Sequence, residues 1–288
     1  MPIPNPFHEL IQSTLHPRQY NWLPGRLLYA AGYLRWQWDA RSARREPFPG
    51  PEKLTVILLS YLRVRNLEPM VRSLLRCGFV EKIVVSNNNP EHRIADWVQI
   101  RDRRVYLLDQ PRPTPCSIRY QIALEEPGPY FLSIDDDVFL YPGQVRRLFE
   151  ELVARPTAPH GLQGEDFLGE RTPKTCLGWK INLHGFEGQV DNINTCYAFT
   201  REHAAEMERL ARLLGLDLAD IPMGSDVLLG AAGQERPFLH DVGSVLHCLS
   251  CHRVGVATWR KRGFFTKRCQ LFRELRALKG WPAPPLSA

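Results

Sequence analysis

The 288-residue sequence predicts an α/β protein with a mostly parallel central sheet and helices on both faces. Three observations predict it. From Lys53 onward, short apolar runs alternate with spacers of helical length, the grammar of parallel βαβ units. One such run, Tyr130-Phe-Leu-Ser-Ile, ends in three consecutive carboxylates, Asp135, Asp136 and Asp137, where open α/β sheets place their ligands. No apolar run reaches the length that spans a bilayer.

Taken in order, residues 1–23 carry several prolines and little periodicity. Residues 25–39 then place Leu27, Leu28, Ala31, Leu34 and Trp38 on one helical face, flanked by Arg26, Arg35, Arg41, Arg44 and Arg45. With Tyr29, Tyr33 and Trp36 the segment resembles an interfacial helix, so peripheral membrane contact through residues 24–45 is one expectation and a helix packed on the following domain the other. Glu46-Pro-Phe-Pro-Gly-Pro51 reads as a stiff linker. Residues 54–59 form the first expected strand and 67–77 a helix stopped by Gly78. Strands follow at 82–85, closed by Ser86-Asn87-Asn88-Asn89-Pro90, and at 104–108; 118–125 is a short helix, the acidic stretch the fourth strand, and 144–154 a helix. The ends of strands one, two and four converge on one rim.

Beyond His160 the pattern loosens. Residues 189–200 read as a strand, 201–214 as a helix, Ile221-Pro-Met-Gly-Ser-Asp226 as a turn into a helix through Ala232, and 238–249 as a strand. Arg260, Lys261, Arg262, Lys267 and Arg268 precede a last helix to Leu278. The expected division is an extension (1–52) with the amphipathic helix and Pro-rich linker, a main domain (53–270), and a C-terminal helix and tail (271–288). No internal repeat is present.

Lys and Arg exceed Asp and Glu by 37 to 31, a net charge of +6, which favours phosphates or an anionic surface as partners. No nucleic-acid-binding motif accompanies the charge, so nucleic acid is not expected. Seven cysteines, an odd number scattered through apolar segments, and no secretory apolar core at the start make a reduced, cytoplasmic setting the expectation.

Alternation along a strand puts Asp135 and Asp137 on one face about 7 Å apart, where two like charges repel by roughly 2 kcal/mol at an effective dielectric of 20. A divalent cation offsets that cost, and carboxylate oxygens suit Mg²⁺ or Mn²⁺, which take one or two protein ligands and the rest from water and phosphate. The plain alternative is a solvated acidic turn, since Tyr141-Pro142-Gly143 just beyond is turn chemistry. Two reactions share the pattern: a metal on the diphosphate of a nucleotide sugar, or Asp135 as a phosphoryl-accepting nucleophile with Asp137 as general acid/base. Phosphatases of the haloacid dehalogenase type, which the second resembles, carry the motif on their first strand with a second Asp pair late in the chain. Here it follows three strands, and Gly224-Ser225-Asp226-Val227 lacks the partner acid.

Residues 53–200 resemble the exostosin-type glycosyltransferases of GT-A fold. The resemblance is carried, in order, by Ser60-Tyr61-Leu62-Arg63, Val84-Val85-Ser86-Asn87-Asn88, Ile118-Arg119-Tyr120 and Leu132-Ser133-Ile134-Asp135-Asp136-Asp137, and by the interval from Arg119 to Asp135. It implies metal-dependent transfer of a sugar from a nucleotide-sugar donor, a UDP-sugar, to a glycan or other hydroxyl acceptor, with Mn²⁺ or Mg²⁺ as cofactor. By the same resemblance Arg63 and Arg119 contact donor phosphates or ribose, Asn87 or Asn88 the base, Asp135 and Asp136 the ribose and sugar, and Asp137 the metal. Guanidinium forks suit phosphate, and amides match the edges of uracil. Asp226 matches the acid that opens the acceptor-side helix, as orienting group or base, although capping is the ordinary use of Asp there. Arg268 falls in a basic loop able to close on diphosphate, and His252 or His247 completes the metal's coordination as a histidine does in many GT-A enzymes. The chain departs from the family in reducing its usual acid pair to Ser225-Asp226 and in aligning only loosely through the basic loop.

Cys248-Leu-Ser-Cys251-His252 is also a literal haem c attachment pattern, but that chemistry belongs to exported proteins. Zinc bound by His247, Cys248, Cys251 and His252, or a simple pair of thiols, are the other readings.

Overall fold

The computed structural model describes residues 23–42, 45–167, 179–182, 185–248, 250 and 257–281. Strands β1 (Leu54–Ser60), β2 (Val80–Asn87), β3 (Val105–Asp109) and β4 (Tyr130–Asp135) pair in parallel in the order β3-β2-β1-β4. All seven residues of β1 are buried. A strand covered on both faces needs no polar alternation, and the two-residue period only decides which core each side chain enters. Val56 and Leu58 join one core with helices α2 (Leu67–Leu74) and α4 (Pro142–Ala154); Ile57 and Leu59 join the other with α3 (Ile118–Glu125), α5 (Arg201–Leu213) and α6 (Ser225–Ala232).

Past β4 the sheet continues through antiparallel and mixed pairings. β11 (Cys196–Thr200) lies antiparallel on β4, followed by β6 (His160–Gly161), β12 (Phe238–Leu239) and β9 (Gly188–Gln189), giving eight strands in the order β3-β2-β1-β4-β11-β6-β12-β9. Two small sheets flank it: β10 (Asn192–Ile193), β7 (Gly164–Phe167) and β8 (Trp179–Asn182), and a ribbon of β5 (Val138–Phe139) with β13 (Leu246–His247).

Several expected boundaries move. α2 stops at Leu74, since the backbone turns through Leu75 and Arg76 so that Cys77 can bridge Glu46. Residues 189–200 are three short pieces, with Thr195 at φ 63° between two of them. Of the expected strand 238–249, the described residues 238–248 form only β12 and β13, with Gly243 at φ 75° in the turn between. The last helix, α7 (Phe264–Lys279), already contains Lys267 and Arg268. The 46–51 stretch lies against the body, with the Phe48 ring 4.5 Å from Phe149 and 5.6 Å from Phe79.

Helix α1 (Leu23–Ser42) is apolar on two sides, so periodicity alone cannot choose its packed face. The buried side is Trp36 and Ala40 with Tyr33; the stripe singled out from the sequence, Leu27, Leu28, Ala31, Leu34 and Trp38, faces solvent. Among the described residues no helix is long and apolar enough to cross a membrane.

Candidate active site

β2 and β4 flank β1 on opposite sides, so the strand order reverses at β1, and the carboxyl ends there open a crevice. Register aligns Ser60 with Asn87 and Leu59 with Asp135 on that rim. Because β4 ends at Asp135, alternation stops there and the three acids split. Arg119 donates from Nη2 to Asp135 Oδ1 at 2.6 Å and from Nη1 to Ser133 Oγ at 3.1 Å, while its guanidinium lies 4.7 Å from the Tyr197 ring. Arg63 takes the other two: Nη1 reaches Asp136 Oδ1 at 2.7 Å and Nη2 lies 3.2 Å from Asp137 Oδ2. Asp136 is further held by the Tyr61 N–H at 3.1 Å and, through its carbonyl, by Asn66 Nδ2 at 2.7 Å. Burial works against both guanidiniums, and the adjoining carboxylates outweigh it, so both stay charged.

Asp137 is the unsatisfied member. Among the described residues its Oδ1 is buried without a hydrogen-bond partner, although its backbone carbonyl accepts from the Cys248 N–H at 2.8 Å. Burial, opposed by Arg63 and reinforced by Asp135 and Asp136, pushes its carboxyl up to about 7. A buried carboxyl oxygen short of a partner beside two further acids fits a divalent cation, whose charge offsets the burial that opposes ionisation. Among the described residues no three His, Cys, Asp or Glu side chains form a cage of their own. Mg²⁺-type sites complete their shells from water and phosphate, so one or two carboxylates suffice.

A second cluster stands across the rim. Gly224, at φ 91°, is the N-cap of α6, so Asp226 does not cap the helix. Its Oδ2 accepts from Asn192 Nδ2 at 2.9 Å and from Arg268 Nη2 at 2.5 Å, and Arg268 also pairs with Glu165 at 2.7 Å. The two clusters share a neighbourhood. Burial raises the Cys116 thiol and the Tyr197 hydroxyl, and on each the charges of both Asp135 and Asp226 add to the effect while Arg119 opposes it.

The residues expected at the site have partners within the chain. Arg63 and Arg119, expected at donor phosphates, each pair with the acids, Arg119 with Asp135 and Arg63 with Asp136 and Asp137, and Arg63 also donates from Nε to Ser250 Oγ at 2.7 Å. Asn87 and Asn88, expected at the base, are buried and bonded within the chain. Asn87 Nδ2 donates to His92 O at 2.6 Å and Asp109 Oδ1 at 2.8 Å; Asn88 Oδ1 accepts from Ser86 Oγ at 2.9 Å. Arg268, expected in a basic loop, is 1% exposed inside α7, where its charge meets two carboxylates. His252, the expected metal ligand, and Cys251 lie outside the described residues; Cys248 Sγ is 3.3 Å from Ser250 Oγ. Glu165, Asn192, Asn66 and Ser250 were missed. Glu165 and Asn192 carry no motif, and Ser250 is hidden inside the Cys-x-x-Cys-His pattern.

Beside Arg63 lies a groove of about 350 Å³ lined by Leu62, Arg65, Asn66, His92 and Trp97 among others, with the Arg65 guanidinium 5.7 Å from the Trp97 ring. Another, of about 280 Å³, is lined by Glu46, Phe48, Lys53 and Phe79, before β1 and β2, at the end of the sheet away from the acids.

By its likeness to solved glycosyltransferase structures the mixed α/β chain has a GT-A fold. Over 69% of its length the chain matches the crystal structure of GalNAc-T7 with UDP, GalNAc and Mn²⁺, at a TM-score of 0.51 and 12% identity. It spans 44% of that chain, and at this identity the likeness shows the fold alone. The mannosyltransferase PcManGT from Pyrobaculum calidifontis, in complex with GDP-Man and Mn²⁺, aligns over 90% of this chain and 75% of its own, with 15% identity. Its TM-score is 0.46. No family model matches the chain, and no curated protein matches it in sequence. The aspartyl-nucleophile reading gains no support here: Asp135 closes the fourth strand, β4, and its Oδ1 accepts from Arg119 Nη2.

Proposed function

We propose that the chain is a metal-dependent glycosyltransferase of the exostosin type, moving a sugar from a UDP-sugar to the hydroxyl of a glycan or another acceptor. The observation that carries this reading is the buried, unpartnered Asp137 Oδ1 at the crevice where the GT-A sheet reverses its order. Bound Mn²⁺ or Mg²⁺ supplies Lewis-acid neutralisation of the departing diphosphate. Asp137 is the chain's oxygen ligand for it. Arg63 clamps Asp136 and Asp137 in place, so its effect on the donor passes through them. Asp135, with a side chain 31% exposed, faces the donor's ribose and sugar. The nucleoside takes the groove beside Arg63, where the Arg65 and Trp97 planes offer stacking that the bonded Asn87 and Asn88 amides do not. Asp226, paired with Arg268 at 2.5 Å, orients the acceptor hydroxyl from the far side. GalNAc-T7, solved with UDP and Mn²⁺, offers the donor type.

The test is a thermal-shift screen of UDP, GDP and CMP with and without Mn²⁺. A UDP shift that requires Mn²⁺ and disappears in Asp137→Ala supports the reading. Equal shifts in chelator, or an unchanged mutant, sink it.

A further inference from the structure

We propose that the outer face of α1 docks this protein on an anionic lipid surface, an inference that stands apart from glycosyl transfer. The helix is apolar twice over. Its inner side is fixed: Trp36 Nε1 donates to Leu140 O at 3.2 Å, and the Tyr33 and Trp36 rings lie 5.0 and 4.9 Å from Phe139 of β5. On the opposite side Leu27 is 63% exposed, Leu34 65% and Trp38 73%. Seven and four residues apart, these three form one continuous stripe, unlike the scattered exposed apolar residues of an ordinary surface.

Charge selects the occupant. α1 carries Arg26, Arg35 and Arg41 against one acid, Asp39, 3.7 Å from Arg35, and Arg44 and Arg45 follow in the sequence. An apolar stripe edged by arginines matches an acyl boundary beneath negative headgroups. A second copy seated on the same stripe brings arginine against arginine. Residues 1–22 hold a single acid, Glu9, and so offer the arginines little. Docking also has a fixed relation to the acids. α1 grips β5, whose partner β13 leads to Cys248, the donor to the Asp137 carbonyl.

The experiment is sedimentation of the full chain with phosphatidylcholine vesicles, with and without phosphatidylserine, for wild type and a Leu34→Glu/Trp38→Glu variant. Wild type should pellet with the phosphatidylserine vesicles and release as salt is raised. The variant should lose at least about tenfold in partitioning at an unchanged melting temperature. Wild type left in the supernatant, or a variant that pellets equally, overturns the proposal. So does a variant whose only changes are in oligomeric state or melting temperature, since the stripe would then cover another part of this chain or a second copy.

Discussion

Arg63 holds Asp136, Asp137 and Ser250 together, and its loss differs from the loss of any one of them. Arg63→Ala leaves two buried carboxylates without their cation and should cost about 3 to 5 kcal/mol in urea unfolding. Arg63→Lys should recover only part, because an ammonium cannot reproduce the fork. Asp137→Asn instead removes a charge that burial opposes and leaves the Arg63–Asp136 pair in place. It should keep the fold while weakening Mn²⁺-dependent UDP binding by about 100-fold or more, measured calorimetrically. The acids were legible because three carboxylates closing an apolar run are a local pattern. The arginines' partners were not, since Arg63 meets Asp136 across 73 residues and Arg268 meets Asp226 across 42. Sequence shows a guanidinium, and only the fold shows which anion it faces.

At the scale of elements, β6 and the residue after β12 are joined through rings: His160 Nδ1 lies 2.8 Å from His240 Nε2, and His160 Nε2 2.9 Å from the Arg155 carbonyl. Burial pulls His160 down to about 4, and likewise His203, whose ring accepts the Thr200 N–H at the start of α5. Between about 4 and 6.5 the unfolded chain therefore binds more protons than the folded one. Stability must then rise with pH across that window and fall as pH drops through it, by on the order of 3 kcal/mol per ring. Melting temperatures from pH 7 to pH 4 check this, and His160→Gln should flatten the slope. Gly224 fixes the start of α6 at φ 91°, where an added Cβ would stand 3.0 Å from Leu271 Cδ2. Gly224→Ala should cost about 1 to 2 kcal/mol and disturb the Asp226–Arg268 pair, read as a matching fall in melting temperature. Parallel strands and their helices were readable from periodicity. The broken run at 189–200 was not, because Thr195 takes a positive φ that its residue type does not announce.

For the whole molecule, two cores on either face of one sheet set the acid rim and the Asp226–Arg268 pair beside each other, joined through α3 and β11. A ligand that bridges the rim must stabilise the native state. UDP at 100 times its dissociation constant should add about 2.7 kcal/mol with Mn²⁺ and nothing in chelator. α1 shows where reading the chain reaches its limit. A helix apolar on two sides has a pattern that fits packing and exposure alike, and the β5 aromatic cluster decided which side was buried. The most direct measurement is a crystal structure of the protein with UDP and Mn²⁺. The account predicts nucleotide in the crevice and an ion held by Asp137 Oδ1. Nucleotide bound elsewhere, or an ion that does not touch Asp137, would contradict it.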